Sequence, residues 1–176
     1  MKSVLLLAAA LTFLAATPAA ACLPPPGPPP EAGETAESHA ARYAAWQAER
    51  DAQHAAWLHQ RQVTLWDEAD AVFIARITRV EADRQAYFGD TQRVSLRAEQ
   101  SLKGRRYRSS FSLRYTDATS CGPLPSFAAI NGAVGDRFVV FVRGGRPGQS
   151  TVQQTIAPAD ITDERIRTAL DVALSR

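Results

Sequence analysis

Between Glu34 and Trp66 the chain runs without a glycine or a proline, and from Asp70 onward its apolar residues stop stepping by three or four and begin to alternate. The first stretch is rich in Ala, Gln, Glu and Arg, which lose little on entering a helix, so residues 34–66 are expected to form one long helix capped by Thr35 or Ser38. The second stretch is β-branched and aromatic at a period of two, the pattern of a pleated sheet. At the break stand Asp67, Glu68 and Asp70. They are read as a solvated acidic turn, since the spacing of a calcium loop is absent.

On the expected helix, Tyr43, Trp46, Arg50, His54, Trp57, Arg61 and Leu65 share one face. The favoured reading lays this helix on the domain, with its aromatics buried and its arginine stems along the surface. The other reading is an exposed aromatic and basic stripe for a partner or an anionic lipid surface.

The strand-like segments are "AVFIARITRVEA" (71–82), "QRVSLRAEQSL" (92–102), "YRSSFSLRY" (107–115), "DRFVVFVRG" (136–144) and "STVQQTIAPADI" (150–161). Gly89-Asp90 and Lys103-Gly104 are expected hairpin turns. Residues 116–135, with Cys121, two prolines and three glycines, read as a loop. The segment 136–144 is the most apolar and is expected to be central, and the last strand is expected to alternate through Val152, Gln154 and Ile156. At the C-terminus Thr162 is the expected cap, with Asp163 and Glu164 in the first turn and a buried stripe of Ile166, Leu170 and Leu174 beside Ala169 and Ala173. Five short strands with flanking helices predict an α+β fold: a small, closed or partly open OB-like barrel over residues 67–176.

The N-terminus has the form of a secretory signal. Lys2 is followed by the uncharged apolar run from Val4 to Ala16, then Pro18 and the small residues Ala19-Ala20-Ala21 before Cys22. That run is too short to span a membrane. The expected mature chain therefore starts at Cys22, is periplasmic or secreted, and is not transmembrane. Its charges nearly balance once Lys2 is gone, so an electrostatic partner would have to use a local patch. Residues 22–33, "CLPPPGPPPEAG", read as an extended polyproline spacer. Two cysteines in an exported chain predict a Cys22–Cys121 disulfide, worth about 4–5 kcal/mol in the chain-entropy model. Lipid attachment at Cys22 is the competing fate, although Ala19 stands where a lipobox usually has Leu.

No catalytic constellation emerges from the residues. His39, His54 and His59 fall on the helix without metal-pair spacing, and no Gly-x-Ser-x-Gly or phosphate-cradling glycine loop occurs. The chain reads as a non-enzymatic binding module without a cofactor. One basic patch stands out, Lys103, Arg105, Arg106 and Arg108, with Arg93, Arg97 and Arg114 on adjoining strands. Export argues against nucleic acid as its ligand and for a protein, an anionic glycan or a lipid headgroup; a charged hairpin tip that discourages edge pairing is the plainer reading.

Taken in order, Cys22, Ala69 to Phe73 ("ADAVF"), Leu102-Lys103-Gly104, Cys121-Gly122 and Gly135 to Val140 ("GDRFVV") resemble the landmarks of netrin-like, tissue-inhibitor-of-metalloproteinase-like OB-fold modules, including small bacterial members. The resemblance covers roughly residues 69–142 and Cys22. In the inhibitor branch the mature N-terminal cysteine chelates the catalytic zinc of a metalloproteinase through its α-amino and carbonyl groups. By that resemblance Cys22 would be the chelating residue, Cys121 its disulfide anchor and a metalloproteinase the partner. The chain departs from that branch in carrying Pro24 in place of its second cysteine and in the long helix before the first strand.

Overall fold

The computed structural model describes residues 26–85, 89–115, 117–119, 122–124 and 127–175. The expected long helix is α1, Ala36–Glu68, capped by Thr35, whose side chain accepts from the Ser38 backbone N–H. Seven strands follow: β1 (Ala71–Gln85), β2 (Gly89–Gly104), β3 (Ser110–Arg114), β4 (Asp117–Thr119), β5 (Gly122–Leu124), β6 (Arg137–Val142) and β7 (Val152–Ile156). Two 3₁₀ turns, Ala128–Asn131 and Pro158–Asp160, and a final helix α2, Glu164–Leu174, complete the order. Residues 116–135, expected as a loop, thus include a short hairpin and a 3₁₀ turn.

The body is a five-stranded antiparallel sheet in the order β3-β2-β1-β6-β7, with β4 and β5 a separate two-stranded hairpin. The sheet is open, with β3 and β7 as its edges, so of the expected closed or partly open barrel the closed form is not observed. The middle strand is β1, with β6 beside it.

Each face of the sheet has its own core. On the inner face Phe73, Ala75, Ile77, Leu96, Phe111, Leu113, Phe138 and Val140 pack against Phe127, Ala129 and Ile130. On the outer face Val72, Ile74, Val139 and Phe141 pack beneath Ile166, Leu170 and Ala173 of α2, with Leu65 and Trp66 of α1 against the same cluster. Burial on both faces explains why "AVFIA" and "FVVFV" are continuous apolar runs. Each large aliphatic or aromatic side chain removed from water here contributes roughly 1.5–3 kcal/mol.

Several sequence expectations are corrected by local geometry. Gly89 and Asp90 do not form a turn but are strand residues paired with Gln85 and Arg84. Lys103 and Gly104 also pair, with Val72 and Ala71, and the connection to β3 comes after them. β3 is shorter than expected, so Tyr107 and Tyr115 lie beyond its ends, partly buried against the inner core. In β7 a register shift opposite Phe141 and Val142 breaks the alternation: Val152 and Thr155 are buried, while Gln154 and Ile156 are not. Asp163, not Thr162, caps α2, and Leu174 is exposed, so the buried stripe consists of Ile166, Leu170 and Ala173.

The largest correction concerns α1. It is about 50 Å long at 1.5 Å per residue. From Ala36 to Arg61 no residue is buried, and its one buried residue is Gln62. The helix is therefore an arm that meets the body only with its C-terminal third. Nor is the proline segment a free spacer over its described part: it folds back along the arm. The carbonyl of Pro28 bonds the His39 ring at 3.1 Å, and that of Pro29 accepts from Arg42 at 2.7 Å. Arg42 also grips Glu34, whose carboxyl is held down to about 2 by that hydrogen bond first and by a backbone N–H second.

Candidate functional site

Two surfaces gather chemistry. The first is the hollow between α1 and the edge strand β7. Gln62 sets its floor by tying the helix to the chain before α2. Its amide donates to the Asp160 carbonyl at 2.8 Å and accepts from the Thr162 N–H at 2.7 Å, so a buried polar group is fully used. Above this anchor the helix and β7 diverge and leave a hollow of about 950 Å³, lined by Trp57, Leu58 and Arg61 on one side and by Gln153 to Ala157 on the other. Trp57 is 55% exposed and Leu58 39%. Beyond Val152, the bonds that reach β7 from outside the sheet go to side chains: the Ala129 N–H to Thr155 Oγ1 and Arg61 to Gln154 Oε1. Past Val152, no backbone group among the described residues pairs with its outer edge, and its sequence, Val-Gln-Gln-Thr-Ile, has no charge or proline to discourage pairing.

The aromatic stripe of α1 leads into this hollow. It is neither buried in the body nor fully bare, because its members stack on one another. Tyr43 lies against Trp46 with Arg50 over the indole at 4.8 Å, and His54 stacks on Trp57 with Arg61 over it at 5.6 Å. The three histidines are spread along the arm with separate partners: Pro28 for His39, Trp57 for His54 and Thr162 for His59. Among the described residues no group of three His, Cys, Asp or Glu side chains could hold a metal ion.

The second surface is the part of the outer sheet face that α2 leaves uncovered. There the apolar positions give way to arginine: Val72 and Ile74 are followed by Arg76, and Val139 is preceded by Arg137. Cross-strand pairing sets Arg137, Arg76, Arg97 and Ser110 in one row over β6, β1, β2 and β3. A bulge at Glu99 turns its carboxylate into this row, where Arg76 donates to it at 2.6 Å and Arg137 at 2.9 Å. Partial burial pushes the Glu99 carboxyl up, but the two guanidiniums outweigh it and hold it below the usual glutamate range. The next rows are Arg79, Ser95 and Ser112, then Glu81, Arg93 and Arg114.

The expected patch of Lys103, Arg105, Arg106 and Arg108 is divided. Lys103 turns away to the C-terminus of α1, where its ammonium donates to the Trp66 and Asp67 carbonyls and lies over the Trp66 ring. A cation there meets the negative end of the helix dipole, which α1 does not satisfy with a basic residue of its own. Gly104 follows at φ +67°, where a Cβ would strike the Asp70 carbonyl. Arg105 lies over Tyr107. Arg106 and Arg108 do face a cleft, of about 210 Å³, that they share with Glu99, Gln100 and Ser101. Arg76, Arg79 and Arg137 are not legible in the linear sequence, since only the pairing register brings Arg76 and Arg137 into the row of Arg97 and Arg79 into the next. The acidic residues at the helix–strand break are each engaged: Asp67 with Arg165, Glu68 with Arg143, and Asp70 with the Gly144 N–H.

Cys22 and Cys121 lie outside the described residues, and with them the disulfide, the zinc-chelating and the lipid-anchor expectations. No helix among the described residues is long and apolar enough to cross a membrane. No family model matches the sequence, and no curated protein matches it.

Proposed function

We propose that the chain is an exported, non-enzymatic binding module whose partner is a polypeptide, taken as a short extended segment between α1 and the outer edge of β7. One observation carries this reading: an uncharged strand edge, unpaired among the described residues, faces a hollow of about 950 Å³ beneath a tryptophan that is 55% exposed. An added strand would draw affinity from backbone hydrogen bonds and selectivity from side chains placed in the hollow. Trp57 and Arg61 are residue types that carry most of the energy at such contacts. The order β3-β2-β1-β6-β7 supports reading the body as a partly open OB-type barrel, with β3 and β7 the strands whose approach would close it. Export rests on residues 1–21. The inhibitor and lipid-anchor readings both rest on Cys22, and no described contact favours either.

The test is selection of peptides from a displayed random library on the full mature protein, followed by calorimetry. Selected peptides are expected to alternate apolar and polar residues and to lose about tenfold in affinity on Trp57→Ala. Binders indifferent to Trp57→Ala and Leu58→Ala would refute the reading.

A further inference from the structure

We infer that the uncovered outer face of the sheet is a second binding surface, independent of the α1–β7 hollow, and that its ligand is an anionic polysaccharide carrying sulfate or phosphate esters. Arg137, Arg76 and Arg97 stand directly opposite one another on three adjacent strands. Like charges so placed repel and destabilise a sheet. At neighbouring-strand spacing the three occupy roughly 10 Å. A single carboxylate, Glu99, lies in this row, and it is shared between Arg76 and Arg137. Arg97 is exposed and bonded to no carboxylate among the described residues, as are Arg106 and Arg108 beside the adjoining cleft. Farther along the same face, Glu81 and Asp83 are taken by Arg79 and Arg93. The surface therefore holds an excess of guanidinium groups, which suit the paired oxygens of sulfate and phosphate esters.

The surroundings choose the class of polyanion. Between the arginines the face offers hydroxyls: Ser110 in the first row, and Ser95 and Ser112, which bond each other at 3.1 Å, in the next. Hydroxyls match the hydrogen-bonding groups of a sugar chain. The rows carry no apolar side chain to enter a lipid surface. The rows also carry no aromatic ring on which bases could stack; the ring at the adjoining cleft, Tyr107, is packed against the inner core edge-on to Phe73, covered by Arg105 and tied through its hydroxyl to the Gly145 carbonyl.

The experiment measures binding of the mature protein to heparin oligosaccharide, to vesicles containing phosphatidylglycerol and to oligo(dT), at low and at physiological salt. The variant Arg97→Gln/Arg106→Gln/Arg108→Gln removes three exposed guanidiniums that hold no ion pair among the described residues. Heparin is expected to bind best, to weaken with salt, and to lose about tenfold in the triple variant. Glu99→Gln removes the resident carboxylate and is expected to tighten heparin binding. Unchanged heparin affinity in the triple variant would remove this surface from consideration. Equal or tighter binding to vesicles or oligo(dT), lost in the same variant, would overturn the polysaccharide and leave the surface standing for another anion.

Discussion

Asp163 is 3% exposed, yet its surroundings keep it charged. Its Oδ1 accepts from the Arg165 N–H at 2.8 Å, and its Oδ2 from the Arg165 guanidinium at 2.9 Å. The Arg165 hydrogen bond is the main cause that holds the carboxyl below its ordinary range, with burial opposing it and the backbone N–H groups assisting. A depressed carboxyl adds stability that is complete above its unfolded pKa of about 3.9 and is lost as pH falls through the folded value. Asp163→Ala is therefore expected to cost about 1–2 kcal/mol at pH 7, the range of a lost helix cap. The gap between the two proteins should narrow as pH drops below about 4. Urea unfolding of both at pH 7 and pH 3 checks this, and an equal gap at the two values would contradict it. The sequence shows an acidic residue near this turn but not which residue caps. The Thr162 hydroxyl is instead taken up by Gln62 Oε1, to which it donates, and by the His59 ring, an approach that only the tertiary fold creates.

At the scale of elements, periodicity located the two helices and the five main strands within a few residues, since hydrophobic spacing is a local property. It failed where one element acts on another. The bulges at Glu99 and in β7 come from pairing register, which leaves no mark on either strand alone. The arm's aromatic stripe was expected to be buried because aromatic area usually is, but stacking along the helix covers part of it instead. The backfolded proline segment is a hairpin of its own, closed by Arg42 and by the contact of Gly27 with Tyr43. A Cβ on Gly27 would lie 2.1 Å from the Tyr43 ring. Gly27→Ala together with Arg42→Ala is expected to release residues 26–33 and to speed amide exchange over residues 36–45. The unfolding midpoint of the sheet should stay put, because this part of the arm does not touch the body. A shift of that midpoint would show that the arm and the body are coupled.

The whole molecule is a sheet body with two faces to its surroundings: a hollow beside the edge strand β7, and an arginine-rich sheet surface. Part of the second was readable in advance, because Arg97, Arg106 and Arg108 lie close in sequence; the first was not, because Trp57 and Gln153 to Ala157 come together only in the tertiary fold, through the Gln62 anchor and the Arg61–Gln154 bond. The central claim is that the partner polypeptide lies along β7. Its most direct test is amide hydrogen exchange of the protein, free and saturated with a selected peptide. Slowed exchange is expected at Gln153 to Ala157 and around Trp57, with β3 unchanged. Protection confined to β3 or to the first turns of α1, with β7 exchanging as in the free protein, would contradict it.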